Sequence, residues 1–120
     1  EIPIVYNCSG YEKVETLETL KDTVDIYLTD FKYMEEGMAS RYSGAPDYPQ
    51  VAKKALAEMV RQAGNPVFDS DGMMTRGVIV RHLLLPGHRK NAEAVVKYVH
   101  EKFKNQVYLS LMNQYTPLLR

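Results

Sequence analysis

Two opposite charges close an apolar run of this sequence. In VDIYLTDFKY, residues 24–33, Asp30 and Lys32 follow a segment that alternates like a β-strand. A carboxylate and an amine at this spacing can form a structural ion pair, accept a phosphate, help to hold a bound ligand or, through the amine, form a Schiff base. The chemistry they perform therefore depends on what the fold places beside them.

The elements around this pair alternate between strands and helices, which predicts an α/β fold built from βαβ units with a parallel sheet. Helices are predicted at residues 14–22, 49–64 and 91–103, with Pro49 in a first turn, Gly64 as an end and Asn91 as a cap. Strands are predicted at 2–7, 24–31, 106–115 and in the run that ends before Pro86 and Gly87. Residues 35–49 read as a long loop with room for a helical turn.

Polar residues stand at the end of each predicted strand. Period-two alternation puts Asp30 and Lys32 on one face with the apolar residues before them. The other three strands end in the same way, with Asn7, with Arg81, and with Asn113 or Gln114. Because parallel sheets bind ligands at the carboxyl ends of their strands, these side chains are expected to converge on a small polar or charged ligand.

Composition excludes several classes of function. The 120 residues carry 15 basic and 15 acidic side chains, so there is no electrostatic case for nucleic acid or an anionic membrane. A single cysteine, Cys8, excludes an internal disulfide and a self-contained cysteine metal site, and it fits a cytoplasmic protein. Neither a membrane span nor a signal peptide is visible. Residues 1–120 are read as one domain, cut from a longer protein because the chain starts with Glu1 directly before a strand.

Other reactive residues have simpler interpretations. His82, His88 and His100 match no zinc spacing, so no metal is assigned to them. The DSDG segment at residues 69–72 is interpreted as a tight turn. Cys8 is interpreted as a small strand-end residue, and Arg81 as an arginine that pairs with Asp30, since burying it alone would be costly.

Five segments together carry a resemblance to a known family. They are IPIVYNCSGY, VDIYLTDFKY, YSGAPDYPQVA, VIVRHLLLPGH and VYLSLMNQYTP, in this order along the whole chain. The sequence resembles the second half of a radical S-adenosylmethionine protein related to pyruvate formate-lyase activating enzyme. The resemblance implies a partial TIM-like barrel with outer helices, in which these four strands are the third to the sixth.

The same resemblance implies a cofactor chemistry that this chain cannot perform alone. In that family a 4Fe–4S cluster on a CxxxCxxC loop binds S-adenosylmethionine and cleaves it to a 5′-deoxyadenosyl radical, which abstracts hydrogen from a protein glycyl residue or another substrate. The chain has one cysteine and lacks the GGE-type motif. The parent protein is therefore expected to be an oxidoreductase that acts on a glycyl radical enzyme or on another substrate, and the isolated chain to be inactive.

Site residues carry over one by one from the resemblance. Asp30 and Lys32 match a D-x-K motif whose Asp helps to hold a cation beside the cofactor carboxylate and whose Lys reaches the mouth of the active site. Asn7 replaces an Asp of the family, and Arg81 matches an arginine that faces the cofactor. Gln114 or Tyr115 falls near a polar residue of the last strand, with the register open by one residue.

Two further hypotheses follow from the residues, and a third follows from the partial barrel that the resemblance implies. A flavodoxin-like binding or signalling module would use Asp30 as a phosphate acceptor, although YNCSG supplies none of the acidic residues it needs. A Schiff-base lyase would use Lys32, whose charge Asp30 would stabilise. An unclosed barrel would leave a strand edge and an apolar sheet face uncovered, so the chain is expected to self-associate.

Overall fold

The computed structural model describes residues 2–113, and of Asn113 only the backbone. In chain order the elements are β1 (Val5–Cys8), α1 (Val14–Thr19), β2 (Ile26–Asp30), α2 (Glu36–Ser43), α3 (Tyr48–Ala63), β3 (Val67–Phe68), β4 (Met74–Leu84), α4 (Arg89–Phe103), a 3-10 turn (Lys104–Gln106) and β5 (Val107–Asn113). The α/β class predicted from the alternation is confirmed.

The main sheet has the spatial order β1–β2–β4–β5, and all of these neighbours are parallel. The register places Leu28 between Asn7 and Ile79, and it places Asp30 directly beside Arg81. Residues in register on neighbouring strands share a face, so Asn7, Asp30 and Arg81 lie on one side of the sheet. The short β3 pairs antiparallel with the start of β4.

The DSDG segment is the tight turn that the sequence predicts. Asp69 Oδ1 accepts hydrogen bonds from the backbone N–H groups of Asp71 (2.9 Å) and Met73 (3.0 Å). An aspartate that bonds to the backbone two residues later is an Asx turn, a short-range device that needs no metal ion. The turn joins β3 to β4.

The helices pack on one face of the sheet. Tyr27, Val78 and Val80 are fully buried in a cluster that includes Met59 of α3 and Val95 of α4. The apolar stripe of α3 therefore faces the sheet, as its helical spacing predicts. Among the helices of residues 2–113, none combines the length and apolar character required to cross a membrane.

The opposite face of the sheet is open. Its side chains include Val5 and Tyr108, which are 51% and 53% exposed, and the half-buried Leu28 and Ile79. Apolar side chains on an uncovered face favour contact with another surface. Self-association of the isolated chain stays a prediction.

One local prediction is partly right and another is wrong. Residues 35–49, predicted as a loop with room for a helical turn, contain the eight-residue helix α2, which Gly44 ends in a left-handed conformation with φ 66°. Only Ala39 of α2 is buried, so the apolar periodicity that signals a helix is weak there. Asn91 is not a cap, because α4 begins at Arg89 and Asn91 lies inside its first turn. Its side chain instead forms hydrogen bonds with the backbone of the segment that follows β2.

Candidate functional site

Arg81 joins the ends of three strands on the open face of the sheet. Its Nε donates to Asp30 Oδ1 at 2.7 Å, and its Nη2 donates to Asn7 Oδ1 at 2.9 Å. The pairing of Arg81 with Asp30 that the sequence predicts is confirmed. Both side chains are roughly a quarter exposed, at 26% and 29%, and a pair in such a setting contributes on the order of 1 kcal/mol to stability. The main effect of this pair is to fix the orientation of both charges.

A cavity of about 360 Å³ opens beside this pair, at the carboxyl ends of β2, β4 and β5. Its lining combines the charged residues Asp30, Lys32 and Arg81 with the apolar side chains of Leu83, Leu85 and Met112. A space of this kind accommodates a small ligand that has an anionic group at one end and an apolar or planar part at the other. Three neighbouring strands of the sheet thus bring charge and apolar surface to one place.

Three of the predicted site residues, Asn7, Asp30 and Arg81, are joined by hydrogen bonds, and Lys32 lines the same cavity. The alternative of an Asp30–Lys32 ion pair is wrong, because among the described residues Asp30 pairs with Arg81 and not with Lys32. The fifth predicted site residue, Gln114, lies outside the described residues. Whether these residues bind a cofactor stays a prediction.

Sequence reasoning missed two residues of the cavity. Tyr33 is buried, and it also lines the cavity next to Lys32. Met112 of β5 is the second of these lining residues. For Met112 the available signal was period-two alternation along β5, since it stands in register with Leu83, another residue of the lining.

The loop after β1 approaches the end of β2 very closely. Gly10 has φ +90°, and a Cβ atom built on it would lie 2.3 Å from the backbone oxygen of Asp30 and 2.9 Å from the Tyr48 hydroxyl. That hydroxyl donates to the carbonyl of Ser9 at 2.7 Å. Burial raises the pKa of Tyr48, so the hydroxyl keeps its proton and remains a donor. The position requires glycine for both its backbone conformation and the space.

Cys8 stands on the other side of the sheet from the candidate site. It follows Asn7 in β1, so its side chain points to the face that the helices cover, where it packs against the core. Burial raises the pKa of its thiol, which outweighs the hydrogen bonds from Thr29 and the Gly10 backbone that lower it. Cys8 therefore has the environment of a structural thiol.

The residues of this chain do not fit a 4Fe–4S cluster. Such a cluster needs several thiolates, whereas the chain has one thiol, held in its protonated form on the helix-covered face. Within residues 2–113 no group of three or more His, Cys, Asp and Glu side chains has a metal-binding arrangement. Cluster ligands would have to come from another part of a longer protein.

Comparison with known proteins finds a relative that is much longer than this chain. An uncharacterized protein of Methanocaldococcus jannaschii is 32% identical over 117 residues, which cover 97% of this chain and 30% of that protein. The chain therefore spans about 30% of the length of the relative it matches. No family model matches the sequence, and no solved structure matches it.

The close approach at Gly10 generates a stability prediction. Gly10→Ala should lower the free energy of unfolding by at least about 2 kcal/mol, because it adds a steric overlap to an unfavourable positive φ. Gly44→Ala is the matched control: Gly44 has φ +66° and nothing within 4 Å of a built Cβ, so only the backbone penalty of about 1 kcal/mol applies. Urea denaturation measures both; equal losses would contradict the close approach.

The environment of Cys8 generates a prediction of its reactivity. A raised pKa leaves less thiolate at pH 8, and burial limits access, so alkylation of Cys8 by iodoacetamide should be at least about tenfold slower in the native chain than in urea. The native rate should keep rising at pH values where the unfolded chain has already reached its plateau. Since Cys8 is the only cysteine, mass spectrometry of the intact chain reads the rate directly. A native rate equal to the unfolded rate would show an accessible, activated thiol instead.

Proposed function

We propose that this chain is the C-terminal part of a radical S-adenosylmethionine barrel, in a protein related to pyruvate formate-lyase activating enzyme. In this proposal Asn7, Asp30, Lys32 and Arg81 form one wall of the S-adenosylmethionine pocket. The observation that carries it is the hydrogen-bonded bridge from Arg81 to Asp30 and Asn7, beside a cavity at the carboxyl ends of parallel strands. The five sequence segments that resemble the family supply the identity of the ligand.

The order of the strands supports a partial barrel. In a barrel each new strand adds to the same side of the sheet, helices lie outside, and the inner face carries the site. The order β1–β2–β4–β5, with the helix-packed core on one face and the charged residues on the other, agrees with that arrangement. A flavodoxin-like sheet would place neighbours on both sides of its first strand. Within the described residues β1 pairs with β2 alone, which favours the barrel over the signalling module.

The wall has the groups that S-adenosylmethionine requires. Arg81 and Lys32 are cations that can bind the carboxylate of its methionine part, and Asp30 can accept from its amino group or hold a cation beside it. The apolar lining by Leu83, Leu85 and Met112 offers a surface to a planar base. Arg81 is already oriented by Asp30 and Asn7, so the ligand does not have to order it on binding.

The remaining parts of the activity belong to the parent protein. A cluster held by residues outside this chain would supply the reducing chemistry for S-adenosylmethionine, and a glycyl residue or another substrate would be the hydrogen donor. The length of the archaeal relative is compatible with cluster ligands outside residues 1–120. In this proposal the parent is a cytoplasmic oxidoreductase that acts on a glycyl radical enzyme or on another substrate, and the isolated chain is inactive.

The site assignment predicts the effect of two substitutions in the full-length parent. Asp30→Ala and Arg81→Ala should each weaken S-adenosylmethionine binding by at least about tenfold, because each removes a charge from the wall and frees its partner to reorient. The fold should be kept, since the pair is partly exposed and contributes little to stability. Isothermal titration calorimetry on the anaerobic, unreduced protein measures the affinity, and thermal unfolding checks the fold.

The control for this prediction is another arginine that pairs with a carboxylate. Arg89 donates to Glu93 at 3.1 Å, but this pair is highly exposed and neither residue lines the cavity of Asp30 and Arg81. Arg89→Ala should leave the affinity unchanged. Unchanged affinity in both Asp30→Ala and Arg81→Ala would refute the site.

A further inference from the structure

The segment that carries Lys32 leaves β2 without regular structure, yet its backbone is fixed by side chains from three other elements. Tyr48 of α3, His82 of β4 and Asn91 of α4 each contact it, and all three are buried, with 3%, 1% and 4% of their surface exposed. Buried polar side chains require hydrogen-bond partners, and here the partners are the peptide groups of a few consecutive residues.

Asn91 forms hydrogen bonds with the backbone of Lys32 and Met34, on either side of Tyr33. Its Nδ2 donates to the carbonyl of Lys32 at 2.9 Å, and its Oδ1 accepts from the N–H of Met34 at 2.9 Å. One amide side chain thus satisfies two backbone groups on either side of Tyr33. Asn91 lies 59 residues from Lys32 in the sequence, so this contact ties α4 to the end of β2.

Tyr48 and His82 hold the other side of the same segment. The Tyr48 hydroxyl accepts from the N–H of Lys32 at 3.0 Å, and it donates to Ser9 in the loop after β1. His82 Nδ1 lies 2.7 Å from the carbonyl oxygen of Phe31, so this nitrogen carries the proton and donates. Both the N–H and the carbonyl of Lys32 are therefore bound to buried side chains.

We propose that Asn91 and Tyr48 are positioning residues for Lys32: by holding its N–H and its carbonyl, they fix the direction in which its side chain enters the cavity. The inference rests on the proposed function, in which Lys32 binds the carboxylate of S-adenosylmethionine. A lysine side chain has four rotatable bonds, so a rigid backbone removes one source of disorder from its ammonium group. Neither Asn91 nor Tyr48 touches the ligand in this account.

A double-mutant cycle in the full-length parent tests whether Asn91 acts through Lys32. The probe is S-adenosylmethionine, titrated by calorimetry into the anaerobic, unreduced protein. Asn91→Ala should weaken binding by about fivefold when Lys32 is present, and by less than about twofold in the Lys32→Met background. Tyr48→Phe should behave in the same way. An equal loss in both backgrounds, or no loss in either, would overturn the proposal, because a general structural role does not depend on Lys32.

Two matched controls separate positioning from loss of packing. Tyr98→Phe removes a hydroxyl from a ring that contacts Phe31, without touching the Lys32 backbone, and Asn105→Ala removes an exposed amide from the turn before β5. Both should leave the affinity within about twofold of the wild type. Loss of affinity in the controls equal to that of Asn91→Ala and Tyr48→Phe would overturn the positioning role.

A second readout works even where S-adenosylmethionine does not bind. Failure of the wild type to bind it rejects the proposed function and leaves the geometry of Lys32 to be measured by chemical acetylation. With limiting acetic anhydride, the labelling of Lys32 relative to the exposed Lys54 should change by at least about twofold in Asn91→Ala, and it should stay constant in Asn105→Ala. An unchanged labelling ratio in Asn91→Ala would show that Asn91 does not position Lys32.

Discussion

The bridge from Arg81 to Asp30 and Asn7 is the interaction on which the candidate site depends. A guanidinium on the face of a sheet needs partners in its own plane, and two neighbouring strands provide them at 2.7 and 2.9 Å. This is possible only because β1, β2 and β4 are parallel and in a register that sets Asp30 beside Arg81. A shift by one residue would turn one partner to the opposite face.

Packing on the other face supplies the rigidity that the bridge requires. Helices α3 and α4 bury Tyr27, Val78 and Val80, so the strands cannot slide without exposing core residues. The same helices carry Tyr48 and Asn91, whose side chains form hydrogen bonds with the backbone of Lys32. The hydrophobic core and the polar cavity are therefore built from opposite sides of the same strands and helices.

Short-range patterns in the sequence predict the α/β class, the parallel sheet and the faces of its strands, because alternation and helical spacing are local properties. The partnership of Arg81 with Asp30 was also predictable, since a half-buried arginine requires a carboxylate. The role of Asn91 was not, because its contact with Lys32 spans 59 residues and its position resembles a helix cap. The full length of helix α2 was not predictable from apolar spacing, because Ala39 is its one buried residue.

The central claim is tested most directly on the complete reading frame that contains this chain. The protein is expressed and purified without oxygen, its iron and sulfide are determined, and it is assayed with a reductant for conversion of S-adenosylmethionine to 5′-deoxyadenosine. The account predicts a cluster, with ligands supplied from outside residues 1–120, and reductive cleavage. A protein with no three-cysteine loop, no cluster and no 5′-deoxyadenosine would contradict it, and the wall formed by Asn7, Asp30, Lys32 and Arg81 would then belong to a site for another ligand.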